Sequence, residues 1–110
     1  MSRPPDLVQG TLDALILSIV ARRPQHGLAI AQEMHARSAD ALQVSRGSLC
    51  RVLHKLAHQG LLRAEWRLAE SGRWAKYYSL TRSGQRRLER ELQEWERLSA
   101  AISLVLSPAE

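Results

Sequence analysis

The 110-residue chain is long enough for one domain and too short for two, and its single cysteine, Cys50, excludes an intrachain disulfide and favours a reducing compartment. Its most apolar stretch, residues 12–21, has about half of the ~20 residues that a membrane-spanning helix needs, and residues 1–6 contain no signal-type run, so we expect a soluble, cytoplasmic protein. The net charge is +5, but residues 41–87 alone carry +8, a concentration that favours a polyanion-binding surface over an idle basic one.

The first predicted helix begins after Thr11, whose side chain can cap it, and ends before Pro24. Asp13 then falls in its first turn, where the helix dipole favours a negative charge. Apolar residues extend round most of the helix, which predicts burial on more than one side. Because the domain is small, we expect the second side, including Leu12 and Leu15, to pack against a partner chain.

A second and a third helix are predicted from apolar residues at helical spacing. The second runs from about His26 to Arg37, and its core face consists of Ile30, Ala31 and Met34. The third is capped by Ser45 and ended by Gly60. Its apolar stripe consists of Leu49, Val52, Leu53 and Leu56.

The period of the apolar residues then changes to two, which predicts a β-hairpin. Residues 62–68 alternate as a half-buried strand, residues 70–73 form a turn, and residues 74–80 form the returning strand. Thr81 is predicted to cap a final helix that continues to about Leu106 and ends before Pro108. The hairpin side chains expected to point inward are those of Leu62, Ala64, Trp66, Leu68, Tyr78 and Leu80.

This order of elements predicts a mainly α-helical fold with a small β-hairpin, namely a winged helix-turn-helix with a long C-terminal dimerisation helix. Residues 1–80 form the predicted DNA-binding part and residues 81–110 the dimerisation helix, within one structural unit. In such a fold the third helix enters the major groove of DNA, and the hairpin, or wing, straddles the neighbouring backbone.

On the third helix, the face opposite the apolar stripe carries the candidate DNA contacts. Ser48 and Arg51 lie in the half that reaches base edges, and an arginine there can pair bidentately with guanine. Gly47 allows the helix backbone to approach the DNA closely. The residues placed for phosphate contacts are Ser45, Arg46 and Lys55. The alternative, an ordinary solvated face, is disfavoured by the basic hairpin beside it.

At the predicted tip of the wing, Arg73 and Lys76 are placed to bind phosphate or to enter a minor groove. Trp74 lies between them, and an exposed tryptophan at a turn lowers solubility unless it packs on something. We weigh two interpretations equally: the ring contacts DNA, or it folds back onto Tyr77 or the hairpin stem.

Short motifs along residues 10–98 match those of a known family in order and spacing. They are Gly10–Leu17, Pro24 with His26-Gly27, Ser45–Leu49, Leu53–Leu56, Gly60–Leu62, Gly72-Arg73, Lys76–Thr81 and Gly84. With these motifs the chain resembles the PadR-type transcriptional regulators, in the short subgroup with a single C-terminal helix. The resemblance implies a homodimeric repressor on an inverted-repeat DNA operator, with the third helix and the wing on the DNA and the last helix at the dimer interface.

Two positions depart from the pattern of that family. It commonly has a tyrosine after Gly-Ser-Leu, where this chain has Cys50, and an aromatic residue after His-Gly, where this chain has Leu28. Loss of the tyrosine from the third helix implies a different operator preference. For Cys50 we weigh a thiol sensor against a small buried apolar residue, and we favour the buried residue.

In the final helix, apolar residues step by four and three, the spacing of a short heptad seam. We expect this seam to pack on its counterpart and on the first helix of a partner chain. The residues expected at the dimer interface are Leu12, Leu15, Leu88, Leu92, Trp95, Ile102 and Leu106. We favour an interface anchor as the role of Trp95; the alternative is that two copies sandwich a small aromatic effector that relieves repression.

The sequence contains no constellation typical of an enzyme, and we expect no cofactor. His54 and His58 lie four apart on one helix, but the glutamate and the third ligand of a zinc protease motif are missing, so we expect no metal site. The alternative function is a winged-helix module that binds protein without specific DNA binding. Such modules usually lose the basic third helix and wing, which this chain retains.

Overall fold

The computed structural model describes the backbone of residues 5–108 and the side chains of residues 11–108; residues 1–4, part of the segment predicted to lack a signal run, lie outside this description. The elements in chain order are α1 (Pro5–Arg22), β1 (Gln25–His26), α2 (Gly27–Arg37), α3 (Arg46–His58), β2 (Leu62–Leu68), β3 (Trp74–Leu80) and α4 (Arg82–Leu106). This is the predicted winged helix-turn-helix with a long C-terminal helix. Within the described residues, no helix is long and apolar enough to cross a membrane.

Helix α1 begins well before the predicted cap. It starts at Pro5 rather than after Thr11, because the fixed backbone angle of proline suits the first turn of a helix and its missing N–H leaves no hydrogen bond unmade there. Thr11 therefore lies inside the helix, and Asp13 lies beyond the first turn. The helix ends at Arg22, as Pro24 predicts.

Within residues 11–22, most of the apolar surface of α1 is covered by the chain's own elements. The side chains of Ile16 and Leu17 are fully buried, and α1 packs against α2, α3, β3 and α4. Most of the described apolar residues of this helix are therefore explained by packing within the monomer, without a partner chain. Among the larger apolar side chains that the structure describes on α1, those of Leu12 and Leu15 are half-buried and retain surface for a partner.

Capping side chains determine where α2 and α3 begin, and a glycine determines where α3 ends. The His26 ring accepts a hydrogen bond from the Ala29 amide (3.2 Å), and the Ser45 hydroxyl accepts one from the Ser48 amide (3.1 Å). After α3, Gly60 adopts a φ of 78°, and the Leu61 amide donates to the Leu56 carbonyl (2.9 Å). This Schellman arrangement confirms Gly60 as the residue that ends the helix.

The sheet has three antiparallel strands in the order β1-β3-β2. Strand β1 was not predicted, because it has only two residues, and they pair with Tyr78 and Tyr77 of β3. Its pairing fixes the start of α2 against the base of the wing. In the β2–β3 hairpin, Leu62 lies opposite Leu80 and Leu68 lies opposite Trp74.

One face of the wing is buried at its base, where β2 begins and β3 ends, and is exposed toward its tip. Leu62 is buried, but Trp66 and Leu68, predicted to point into the core, are 63% and 60% exposed. They do share the face of Leu62, as the alternation predicts, but the hairpin extends beyond the helices that would cover that face. The prediction that these two side chains are buried is therefore wrong.

Helix α4 joins the domain at its N-terminal third and then projects from it. Thr81 caps the helix by accepting a hydrogen bond from the Gly84 amide (3.0 Å), as predicted. Leu88 is only 5% exposed and belongs to the core of its own chain. The prediction that it lies at the dimer interface is therefore wrong. The projecting remainder makes the molecule 60 Å long and 29 Å across.

Candidate nucleic-acid interface

The first turns of α3 present the predicted base-reading residues on the surface. Arg51 is exposed, and its guanidinium lies 3.4 Å from the hydroxyl of the half-buried Ser48. Arg46 is exposed one turn earlier. The Ser45 hydroxyl accepts a hydrogen bond as the helix cap, which leaves its proton free to donate outward. The positive end of the helix dipole adds to the charge of these arginines.

Nothing within the described part of the chain explains why residue 47 is glycine. The residue is exposed in the first turn of α3, and a Cβ built on it would meet only the Arg51 guanidinium, at 3.9 Å. Glycine also lowers the stability of a helix by about 0.5–1 kcal/mol relative to alanine.

Lys55 is directed away from the predicted phosphate surface. Its ammonium donates hydrogen bonds to both carboxylate oxygens of Asp13 on α1, at 2.9 and 3.0 Å. The Asp13 side chain is 8% exposed and the Lys55 side chain 35% exposed. The pair thus fastens α3 to α1, and this structural role replaces the predicted phosphate contact. A lone carboxylate in an apolar helix was the sequence signal that could have indicated the pair.

The tip of the wing is a turn over residues 69–73. The Ala69 amide donates to the Arg73 carbonyl (2.8 Å), and Gly72 adopts a φ of 87° that glycine readily supplies. Arg73 and Lys76 are both exposed beside this turn. Arg73 directly precedes Trp74 at the end of the turn, and Lys76 lies two residues after Trp74 on β3.

Trp74 is not folded back onto Tyr77. Its side chain is 66% exposed, and the two residues lie on opposite faces of β3. The Tyr77 ring instead meets the His26 ring edge-on at 5.2 Å and lies 5.4 Å from the Arg67 guanidinium. Trp66, on the same face as Trp74, is a second exposed indole, although the alternation of residues 62–68 predicts that it points into the core.

A groove of about 680 Å³ separates the wing from α3 and the start of α2; we call it the wing groove. It brings together Arg46 from α3 with Arg73 and Lys76 from the wing. The two departures from the family pattern, Leu28 and Cys50, also line it. Cys50 is exposed, so the prediction of a buried residue is wrong.

Tyr78 forms part of the wall of the wing groove close to Cys50. Burial raises the pKa of the Tyr78 hydroxyl above its ordinary value, and the charge interaction with Cys50 raises it further. The hydroxyl therefore remains a neutral hydrogen-bond donor at physiological pH.

The projecting part of α4 carries the other predicted surface. Leu92, Trp95, Ile102 and Leu106 are between 42% and 76% exposed, so no described element of the same chain covers them. Leu104 and Val105 are also exposed, which makes the end of the helix apolar on more than one side. An uncovered apolar stripe of this kind marks an interaction surface.

The chain matches the transcriptional regulator PadR-like family over residues 16–90. An uncharacterized curated protein of Lysinibacillus sphaericus is 27% identical over 105 residues, which are 96% of each chain. The solved structure of a PadR family transcriptional regulator from Eggerthella lenta is 29% identical with a TM-score of 0.78, over 94% of this chain and 88% of that chain. A PadR-like transcriptional regulator from Bacillus cereus, 23% identical with a TM-score of 0.80 over 94% and 99% of the two chains, shares the fold.

These similarities confirm the resemblance that the motifs indicate. Proteins of this family are winged-helix regulators that bind DNA, and they are not enzymes. The match extends over more than half of the chain, from the core residues of α1 to the buried start of α4. The chain therefore belongs to the PadR-like family of transcriptional regulators.

Proposed function

We propose that this regulator is a homodimeric repressor that binds an inverted-repeat operator through the start of α3 and the tip of the wing. The observation that carries the proposal is that Arg46, Arg51, Arg73 and Lys76 make no ion pair within the described residues. Unpaired cations on two neighbouring elements suit a phosphate backbone, and Ser48 beside Arg51 suits a base edge.

Selection of bound duplexes from a random DNA library tests specificity and symmetry together. We expect an inverted repeat whose half-sites are centred about 10 bp apart, or a multiple of that, because each protomer presents one recognition helix. Duplexes without a shared motif would contradict a specific operator. A single half-site without its repeat would contradict the dimer.

The variant Gly47→Ala separates DNA contact from folding. Because a Cβ fits at this position, the variant should be at least as stable as the wild type. If the α3 backbone lies against DNA here, its Kd for the selected duplex rises about tenfold or more. Unchanged affinity would remove Gly47 from the contact surface, and the urea midpoint shows whether the fold is intact.

Salt dependence tests the basic residues of the wing. A DNA complex weakens steeply with salt, and each lost phosphate contact lowers the slope of log K against log salt by about 0.9. We expect this change for Arg73→Gln and for Lys76→Gln. Arg97→Gln on α4, where Glu94 already pairs the arginine at 2.7 Å, is the matched control and should leave the slope unchanged. A shallow slope in the wild type would instead favour the protein-binding alternative.

The proposed dimer is held by α4, so that residues 81–110 join two DNA-binding parts formed by residues 1–80. The exposed seam residues support this, and the half-buried Leu12 and Leu15 extend the surface onto α1. Sedimentation should give a dimer for the wild type and a monomer for Ile102→Asp. Leu104 is also exposed but lies off the seam, so Leu104→Asp should remain dimeric. Equal dissociation of both variants would contradict the seam.

Repression is tested by transcription in vitro from a promoter that overlaps the selected operator. A bound dimer would exclude the polymerase from such a promoter, so we expect the protein to lower the transcript yield in proportion to operator occupancy. A duplex of scrambled sequence at the same position is the control. An increase in transcript would identify an activator and contradict the proposal.

A small aromatic effector at Trp95 is the remaining part of the proposal. Its support is that this indole is 51% exposed in the middle of the seam, where two copies would lie near the dimer axis. In a variant with Trp66→Phe and Trp74→Phe, Trp95 is the only tryptophan and reports binding by fluorescence. Titration with planar cations and with phenolic compounds should quench it; no quenching across the panel would leave Trp95 as an interface anchor.

A further inference from the structure

The wing groove is large and apolar enough to hold a small molecule. Its volume of about 680 Å³ lies within the range of roughly 300–1,000 Å³ that is typical of ligand sites. The apolar part of its lining is mainly aliphatic, with Leu28, Val44, Leu49 and Leu53 from the helical side. DNA phosphates account for the basic residues at the edge of the groove, but they offer nothing to this apolar surface.

The charges at the groove are of one sign. Arg46, Arg73 and Lys76 line it, and none of the lining residues carries a carboxylate. None of the three cations forms an ion pair in the part of the chain that the structure describes. The neutral Tyr78 hydroxyl is a further hydrogen-bond donor on the wall. The complementary ligand therefore has an apolar body and an anionic head.

We propose that the wing groove binds an aliphatic organic anion of the fatty-acid type, and that this ligand and DNA exclude each other. The exclusion rests on the proposed function, since it requires that DNA uses the same three cations. A carboxylate held by Arg46, Arg73 or Lys76 removes charge from the DNA-binding surface, while the aliphatic chain occupies the space between α3 and the wing. Regulation of this kind is direct competition, independent of Trp95 and of the dimer seam.

Cys50 provides a reporter inside the groove, because it is the only cysteine of the chain and lines the site. The rate of its alkylation by the neutral reagent iodoacetamide is measured by mass spectrometry of the intact protein. Dodecanoate, kept below its micelle concentration, should slow this reaction about fivefold or more at saturation. Acetate, which lacks the chain, and dodecanol, which lacks the charge, should protect far less.

A matched pair of variants at Leu28 tests the charge of the ligand. The side chain is 54% exposed in the first turn of α2, so polar residues fit there without disturbing the core. Leu28→Glu places a carboxylate at the groove and should abolish protection by dodecanoate. Leu28→Gln has nearly the same shape without the charge and should retain most of it.

Binding to the selected duplex distinguishes failure of this proposal from failure of the DNA-binding proposal. Dodecanoate should raise the Kd of the wild type for that duplex about tenfold. If the duplex binds but dodecanoate neither protects Cys50 nor competes, the groove proposal is overturned and DNA binding stands. If dodecanoate protects Cys50 but no duplex is bound, the exclusion fails together with the proposed function. Equal protection by dodecanol would overturn the anionic class of ligand.

Discussion

Replacing Lys55 by methionine is expected to cost more stability than replacing its partner Asp13 by asparagine. In Lys55→Met the Asp13 carboxylate, only 8% exposed, stays buried without a counter-charge. Removing one partner of a buried ion pair typically costs about 3–5 kcal/mol, and we expect the lower end because the pair is partly open to solvent. In Asp13→Asn the Lys55 ammonium, 35% exposed, can turn toward water, so the loss is that of a charge-assisted hydrogen bond, about 1.5 kcal/mol.

Urea unfolding followed by circular dichroism, at one fixed protein concentration, measures the difference. With a slope of about 1.5–2 kcal/mol per molar urea, a loss of about 3 kcal/mol lowers the midpoint by about 1.5–2 M. Arg51→Met is the matched control, because it removes an exposed cation from the same helix. The Arg51 guanidinium contacts only the Ser48 hydroxyl, at 3.4 Å, among the hydrogen bonds of the described residues. The variant should change the free energy of unfolding by less than about 0.5 kcal/mol.

Two results would refute this reasoning. Equal midpoints for Lys55→Met and Arg51→Met would mean that the ion pair does not hold α3 against α1. A larger loss for Asp13→Asn than for Lys55→Met would mean that the difference in burial is not what sets the cost. The double variant Asp13→Leu with Lys55→Met should return to within about 1 kcal/mol of the wild type, since apolar residues often replace a buried pair without loss.

Three further predictions concern the core and the alkaline limit of stability. Gly84→Ala should lower the free energy of unfolding by about 1–3 kcal/mol, because its Cβ would overlap the Leu61 carbonyl. Leu88→Ala should lower the free energy of unfolding, measured in urea, by about 2–5 kcal/mol. It should raise the dissociation constant of the dimer less than Leu92→Ala does. Because the pKa of Tyr78 is raised in the folded state, its stabilising contribution is complete below about pH 10 and is lost as the pH rises further. Tyr78→Phe should therefore flatten the alkaline decline of the urea midpoint, and an unchanged decline would contradict this.

The boundaries of most elements were predictable because they depend on neighbours in sequence. Ser45 and Thr81 cap their helices through an amide three residues away, and Gly60 ends α3 through local hydrogen bonds. Pro24 ended α1 for the same kind of reason. The start of α1 was missed because Thr11 is a good cap by type, but the preceding residues already continue the helix.

Apart from the start of α1, the wrong predictions depend mainly on how distant parts of the chain pack together. Lys55 was placed on the correct helix, but its partner Asp13 lies 42 residues earlier, beyond any local pattern. Cys50 follows the buried Leu49 and yet is exposed, because the groove beside it is open. Strand β1 exists only because β3 offers it a partner. Whether a side chain is buried depends on which other elements pack over it, whereas alternation in the sequence predicts only which face of the strand it lies on.

Helix α1 links the two surfaces on which the proposed function depends. It carries Asp13, which holds the recognition helix, and it packs along α4, which carries the exposed seam. If the proposed dimer rearranges, the contact of α1 with the start of α4 is a route by which the movement would reach α1, and the ion pair would extend it to α3. A ligand in the wing groove would need no such path, because Arg46, Arg73 and Lys76, the cations proposed to contact DNA, line that groove. The two proposed modes of control thus differ in their dependence on Lys55: we expect Lys55→Met to weaken the response of DNA binding to an effector at Trp95 and to leave competition in the wing groove intact.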